Sequence, residues 1–275
     1  MLELHCHTTL SDGTLTPTEL VKAAQAAGVR ALAITDHDTL AGWDEAHAAA
    51  ASTGLEIVPG VELSTVYNNR SLHILGYYPD PEKLLPPLRD RVEGRYRRAR
   101  QMADKLAALG YPIELPEMQG IAPGRPHLAR ALVKAGYVQS SQEAFARWLG
   151  DDGPAYVCYE KLTAAEGIAL LRDCGAVPVW AHPYLFRGGT VTEILPELVT
   201  AGLMGLEVYH PCHSPSQVQK LQNYCRQWHL VATGGSDYHG PQREASGKII
   251  DSLNQLQLPL NLLAPLQVAV SSLTT

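Results

Sequence analysis

Histidines and carboxylates recur at the ends of short β-type runs, and this is where chemistry enters the sequence. His5 and His7 bracket Cys6 and are followed by Asp12. Asp36, His37 and Asp38 follow the second run and Glu62 the third. His73 stands late in the fourth run, and His182 follows the fifth. His210 and His213 follow the sixth, Asp237 and His239 the seventh. In an extended segment, His-x-His puts both imidazoles on one side, because side chains alternate with period two. Cys6 then points away and reads as packing. Imidazoles mixed with carboxylates suit zinc, iron or manganese better than calcium or magnesium. The set is large enough for two or three ions. A single histidine is more often a hydrogen-bonded core or surface residue, and His47 and His229 are read that way. Seven strand ends in succession are not explained so.

Such residues meet only if the runs are strands of one sheet. The candidate strands are Leu2–His5, Ala31–Thr35, Glu56–Val61, Leu72–Tyr77, Ala176–Trp180, Gly205–Tyr209 and Leu230–Thr233. Helical stretches alternate with them. Thr16, Pro17 and Glu19 form a capping box with proline at the first helical position, and Gly28 ends that helix. A second helix is expected over Ala41–Thr53. Strands alternating with helices predict a parallel α/β sheet, whose strand C-termini share one face. The alternation breaks between about Pro79 and Lys161. There a helix from Pro87 carries apolar residues at Leu88, Val92, Tyr96, Ala99, Ala103 and Leu106, and Gly110 ends it. Further helical patterns cover His127–Ala135 and Gln142–Leu149. The expected organisation is a barrel-like domain over residues 1–80 and 161–275, with a helical insertion over 81–160 as a substrate-recognition cap. The tail from Pro241 gives no clear pattern.

Composition narrows the class. The chain has 275 residues, 45% hydrophobic and 18% charged, with a net charge of −6. That fits a folded globular protein and excludes a globally basic nucleic-acid coat. No apolar run is long enough to span a bilayer, the N-terminus lacks a signal-peptide pattern, and five cysteines form no CxxC pair. A cytoplasmic setting is the expectation, with no obligate protein partner. Two further features could grip phosphate. Gly124-Arg125-Pro-His127 stands at a helix start, and Arg187 lies just after His182-Pro183. Arg89, Arg91, Arg95, Arg97, Arg98 and Arg100 crowd one helix, where Arg91, Arg95 and Arg98 share a face that could track a nucleic-acid backbone. A solvated basic face is the plainer reading.

Six motifs together resemble the PHP (polymerase and histidinol phosphatase) superfamily: His5-Cys-His7-Thr-Thr-Leu-Ser-Asp12-Gly, Thr35-Asp36-His37-Asp38-Thr39, Gly60-Val-Glu62, Leu72-His73, Ala181-His182-Pro and Gly235-Ser-Asp237-Tyr-His239-Gly. The resemblance implies a distorted seven-stranded (β/α)7 barrel with a trinuclear centre of divalent manganese, iron or zinc. His5, His7, Glu62 and Asp237 would hold one ion. Glu62 would bridge to a second, completed by His73 and His182. Asp12, His37 and His239 would hold a third. The filled ligand set favours catalysis over a structural metal-binding module. The insertion is similar to that of the nucleoside 3′,5′-bisphosphate phosphatase branch, in which Arg125 and His127 would contact substrate phosphate. His210 and His213 are expected to touch substrate rather than metal. The implied reaction removes the 3′-phosphate of a nucleoside 3′,5′-bisphosphate through a metal-bridging hydroxide. Alternatives are 5′→3′ exoribonuclease action on short RNA and histidinol phosphatase activity. Asp36 and Asp38 could orient ligands or cap the following helix. Ser236 reads as a turn residue rather than a nucleophile.

Overall fold

The computed structural model describes residues 1–115, 121–158, 162–243, 249–250 and 252–273. The chain forms two compact units. One comprises Met1–Pro86 with Lys161–Thr275, the other Pro87–Glu160.

The first unit begins with β1 (Leu2–Glu3), α1 (Pro17–Ala26), β2 (Ala31–Ile34), α2 (Trp43–Ala50), β3 (Glu56–Tyr67) and β4 (Arg70–Tyr77). α3 (Pro81–Ala108), α4 (Arg125–Lys134) and α5 (Ser141–Ala144) follow, the last widening into a π turn over Phe145–Leu149. The chain continues as β5 (Leu162–Thr163), α6 (Ala164–Asp173), β6 (Val177–Trp180), α7 (Val191–Thr200), β7 (Gly205–Tyr209), α8 (Pro215–Trp228) and β8 (Val231–Gly234). A two-stranded ladder of β9 (Gln242–Arg243) and β10 (Ile249–Ile250) precedes α9 (Leu263–Ser271).

Seven strands pair in the order β1-β2-β3-β4-β6-β7-β8, and β5 pairs with β3 off this path. Backbone bonds from Leu4 N to the Gly234 carbonyl (3.3 Å), His7 N to the Tyr238 carbonyl (2.8 Å) and Tyr238 N to the His5 carbonyl (3.2 Å) bring the two ends of the sheet together. The result is a nearly closed seven-stranded barrel with helices outside. Its interior packs Leu2, Leu4, Ala31, Ala33, Val58, Leu75, Tyr77, Val177 and Val179, all fully buried. Near-continuous apolar runs of this kind are what a strand buried on both faces requires.

The alternation of elements predicts a parallel sheet, but two of the pairings are antiparallel. β3–β4 and β4–β6 pair antiparallel. The cause is local: Asn68 and Asn69 form a two-residue loop between paired Tyr67 and Arg70, with φ of 47° and 58°. Two central residues at positive φ make the hairpin turn whose twist matches its strands, and asparagine tolerates that region. α1 starts as read: Thr16 accepts from Glu19 N, the Glu19 side chain accepts from Thr16 N, and Pro17 is the first helical residue. α3 differs, beginning at Pro81 rather than Pro87. Pro86 and Pro87 fall early in the helix, where each removes one backbone donor without ending it.

The tail has a definite role. Leu258 bridges to Leu2, and Leu258, Leu263 and Leu266 are buried in the barrel core. Their spacing over Pro259 and a short 3-10 turn at Leu260–Leu262 hid the pattern. In the second unit, Ala99, Met102 and Leu106 of α3 pack with Leu128, Ala129 and Leu132 of α4 and with Trp148 and Leu149. No helix among the described residues is long and apolar enough to cross a membrane.

Leu266→Ala should lower unfolding free energy by about 2–5 kcal/mol, the usual cost of truncating a fully buried leucine. Urea unfolding checks this; a loss under about 0.5 kcal/mol, the scale of an ordinary surface change, would show that α9 is not part of the barrel core.

Candidate metal centre

The carboxylate of Glu62 is the hub. It is 1% exposed and sits where β3 passes the end of β2, its backbone bridged to His37. Its Oε2 lies 3.2 Å from His5 Nε2, 3.1 Å from His7 Nε2 and 3.2 Å from His37 Nδ1. Its Oε1 lies 2.8 Å from His73 Nδ1 and 3.1 Å from His182 Nε2. Asp237 Oδ1 stands 3.3 Å from His5 Nε2 and 3.1 Å from His7 Nε2. Asp12 gathers a neighbouring group: His239 Nε2 at 3.2 Å, His7 Nδ1 at 3.6 Å and His37 Nε2 at 3.8 Å. The nine side chains expected to meet therefore do meet.

Their donor atoms fall into three clusters able to hold an ion: His5, His7, Glu62 and Asp237; His7, Asp12, His37 and His239; and His37, Glu62 and His73. His182 faces Glu62 at the edge of the last. His5 Nε2, His7 Nε2, His37 Nδ1 and Asp237 Oδ1 are buried with no hydrogen-bond partner among the described residues. Buried polar atoms without partners are costly in a native interior. Separations of 3.1–3.3 Å between His5, His7, Glu62 and Asp237 are close to the edge of a tetrahedron drawn with bonds of about 2.0–2.1 Å. The donor set, its burial and its orphaned atoms all fit divalent metal ions.

His73 reaches this end of the barrel because of the hairpin. It lies in the first half of β4, opposite Ser64, not late in the strand. Antiparallel β4 starts where the parallel strands finish.

Electrostatics match a crowded cluster of opposite charges. Burial opposes ionisation of Glu62 and Asp237, but the surrounding imidazoles override it and hold both carboxyls well below their usual range. Burial likewise pulls His7 toward the neutral form, yet Asp237 and Glu62 hold its pKa at about 10. His37 goes the other way: burial dominates and pushes it down to about 3.

Several supporting groups had been read only in part. Asp36 accepts from Thr8 N (2.7 Å), Thr8 Oγ1 (2.6 Å) and Ser11 Oγ (2.5 Å), so it pins the loop carrying His7 and Asp12. Asp38 Oδ1 accepts from Ser64 N at 2.9 Å. Gly42 is the N-cap of α2 and no side chain caps the helix, so neither aspartate does. Ser236 donates to the buried carboxylate of Glu3. Asp38, His182 and Asp237 have φ of 53°, 34° and 52°, a left-handed conformation that non-glycine residues adopt mainly where surroundings force it. Gly235 is required beside them, since a Cβ there would stand 2.5 Å from His5 N.

Sequence reading missed Glu207. This fully buried carboxylate on β7 accepts hydrogen bonds from His5 Nδ1–H at 2.9 Å and from His182 N at 2.7 Å. It thereby turns His5 Nε2 inward and holds the left-handed backbone of His182. The signal was present: a lone glutamate inside the apolar strand Gly205-Leu-Glu-Val-Tyr209.

His210 and His213 sit beside the cluster. The His182 and His210 rings are 5.8 Å apart, those of His210 and His213 5.3 Å. His210 Nδ1 accepts from Cys212 N at 3.2 Å, and burial pushes its pKa down to about 4. The neutral ring then carries its proton on Nε2, which is buried without a partner. His213 Nδ1 bonds the Val208 carbonyl at 3.0 Å, which makes it the donor and leaves buried Nε2 as an acceptor. Arg187 is exposed in the same unit. In the other unit, Arg125 pairs with Asp151 at 2.7 Å, and His127 Nδ1 accepts from Gly124 N at 3.1 Å.

Residues 3–85 match the model of the PHP domain. A 5′-3′ exoribonuclease of Haemophilus influenzae is 37% identical over 246 residues, covering 87% of this chain and 90% of its own. A 3′,5′-nucleoside bisphosphate phosphatase of Chromobacterium violaceum is 35% identical over 253 residues, covering 87% of each chain. A structure from Bifidobacterium adolescentis, classed as a metal-dependent phosphoesterase, superposes with a TM-score of 0.80 at 32% identity, over 94% of this chain and 97% of its own. The chain belongs to the PHP-domain family of metal-dependent phosphoesterases. Within it, the chain stands close to the branch of the bisphosphate phosphatases and 5′-3′ exoribonucleases.

Two outcomes are expected. Glu207→Ala should weaken metal binding by roughly 10–100-fold, as loss of a partner behind a ligating histidine does; competition against a chelator measures it, and unchanged affinity would show that His5 needs no anchor. Because His7 holds its proton to about 10, metal must displace that proton at neutral pH, so affinity should rise with pH. Calorimetry in buffers of different ionisation enthalpy reads the release; identical heats would contradict it.

Proposed function

We propose that this phosphoesterase hydrolyses nucleoside 3′,5′-bisphosphates, releasing the 3′-phosphate as inorganic phosphate and leaving the nucleoside 5′-monophosphate. The observation that carries the reading is the Glu62-centred cluster, with nine imidazole and carboxylate side chains facing one another at the C-terminal end of the barrel. His5, His7, Glu62 and Asp237 would hold one divalent ion, Glu62, His73 and His182 a second, and Asp12, His37 and His239 a third. Manganese, iron and zinc all suit these donors. Bound ions would polarise the phosphate oxygens and lower the pKa of water.

The chain's own groups do the rest. Water attacks the phosphorus on the 3′-oxygen, the P–O3′ bond breaks, and the leaving oxygen takes a proton. His210 presents a neutral Nε2–H at the edge of the cluster, suited to donating a hydrogen bond to a phosphate oxygen, and the proton taken by the leaving oxygen balances the one that the attacking water gives up. His213 presents a bare Nε2 that can accept from a substrate hydroxyl. Ordered hydrogen-bonding groups of this kind need no reorganisation as charge develops. Arg125 and Arg187 remain in the reading as cations for substrate phosphate, and His127 as a hydrogen-bonding partner for it. For Arg125, that role requires a change in its pairing with Asp151.

One observation favours a second reading, 5′→3′ exoribonuclease action on short RNA: the relative that bears that name is 37% identical, against 35% for the phosphatase. The chemistry is the same bond cleavage, with a nucleotide chain in place of a terminal phosphate. The test is parallel assay of adenosine 3′,5′-bisphosphate, a 5′-phosphorylated RNA pentamer and histidinol phosphate with added manganese. Phosphate release from the bisphosphate alone supports the first reading, stepwise release of 5′-monophosphates from the pentamer the second. Activity on histidinol phosphate alone would overturn both. Asp237→Asn should cut turnover of the active substrate by at least about 100–1000-fold with the fold intact by circular dichroism; near-normal turnover would remove Asp237 from the centre.

A further inference from the structure

The turn that carries Asp237 is tied down at both ends by the backbone. The Gly234 carbonyl accepts from Leu4 N at 3.3 Å, and beyond the turn Tyr238 N donates to the His5 carbonyl at 3.2 Å. Between these anchors Gly235 lies too close to His5 to carry a side chain, and Asp237 has φ of 52°. A residue other than glycine keeps that conformation only where its surroundings over-determine it.

A side-chain relay supplies further restraint. Ser236, 7% exposed, donates from Oγ to Glu3 Oε2. The same Oε2 accepts from Asn254 N at 3.4 Å. Asn254 is buried, stands at φ of 58°, and donates from Nδ2 to the carbonyl of Ala27, the C-cap of α1, at 2.6 Å. A chain of bonds therefore runs from the end of α1 through the tail to Glu3, and from Glu3 to the residue before Asp237.

Glu3 is an expensive choice for its place. It is fully buried, as are its neighbours Leu2 and Leu4, and its Oε1 has no hydrogen-bond partner among the described residues. A carboxylate so placed destabilises a fold, and an apolar side chain of similar volume would fill the space with less penalty. What a hydrocarbon could not do is accept the Ser236 hydroxyl. Glu207 offers a parallel, since it stands behind His5, and His5 and Asp237 belong to the same cluster of donors. Groups behind metal ligands fix their orientation.

We propose that Glu3 is a positioning residue of the metal centre. It holds Ser236, and through it the left-handed turn that aims Asp237 Oδ1 toward His5 and His7, while Asn254 fixes Glu3 from the tail. The proposal rests on Asp237 being a metal ligand, and not on which ester is hydrolysed.

Manganese affinity of the full chain, measured by competition with a chelator, tests this without turnover. Ser236→Ala and Glu3→Leu should each weaken the binding of one manganese ion per chain by about 10-fold or more. Glu3→Gln keeps an oxygen for the Ser236 hydroxyl and should bind close to the unaltered chain. Added to Asp237→Asn, which removes the charge that the turn aims, Ser236→Ala and Glu3→Leu should have little further effect. A role confined to barrel stability would instead lower affinity equally in both backgrounds. Ser236→Ala removes a single hydroxyl and keeps the test valid if Glu3→Leu does not fold. Unchanged affinity in Ser236→Ala, or an equal loss with and without Asp237→Asn, would overturn the proposal. If Asp237→Asn weakens binding and Ser236→Ala does not, the proposal alone falls; if Asp237→Asn itself leaves affinity intact, the ligand assignment falls and takes the proposal with it.

Discussion

One buried carboxylate organises this protein. Glu62 keeps its charge in the barrel's interior end because five imidazoles from β1, the β2 and β6 ends, and β4 face its two oxygens. A lone carboxylate there would neutralise itself or destabilise the fold. Each oxygen serves a different side of the cluster, so Glu62 is the natural bridge between ion sites. The price of concentrating so many polar groups is visible in the unpartnered atoms of His5, His7, His37 and Asp237, which bound cations would satisfy.

The architecture exists to hold those side chains still. Parallel strands deliver His5, His37, His182 and Asp237 from their C-terminal ends, as α/β barrels generally do. The Asn68-Asn69 hairpin breaks the parallel rule and thereby brings His73 to the same end. Behind the ligands lies a second set of carboxylates. Asp36 ties down the His7–Asp12 loop, Glu207 fixes the tautomer of His5 and the backbone of His182, and Asp38 fastens Ser64. Three left-handed non-glycine residues, Asp38, His182 and Asp237, sit among these contacts. Their conformations are imposed by the packing and in turn aim the side chains.

The second unit uses the same physics with the opposite sign. Arg95 and Arg98 are folded against backbone carbonyls and an aromatic ring, where the barrel folds its carboxylates inward against imidazoles.

Ligand types, their spacing and most strand positions were legible in the sequence, because imidazole and carboxylate chemistry at strand ends depends on local identity and on the period-two rule. The α1 capping box was legible for the same reason. What tertiary structure alone decided was direction, pairing and burial. β4's reversal set where His73 lies, although Asn68-Asn69 had hinted at it. Glu207 could be recognised as an anchor only when β7 stood beside β1 and β6. α9 became part of the core only when Leu258 met Leu2. The helix of six arginines read as a solvent-facing stripe until packing buried Arg91 and Arg95. Sequence fixes which groups are available; non-local contacts decide which of them lose water, and the loss of water is what turns a charged side chain into a site.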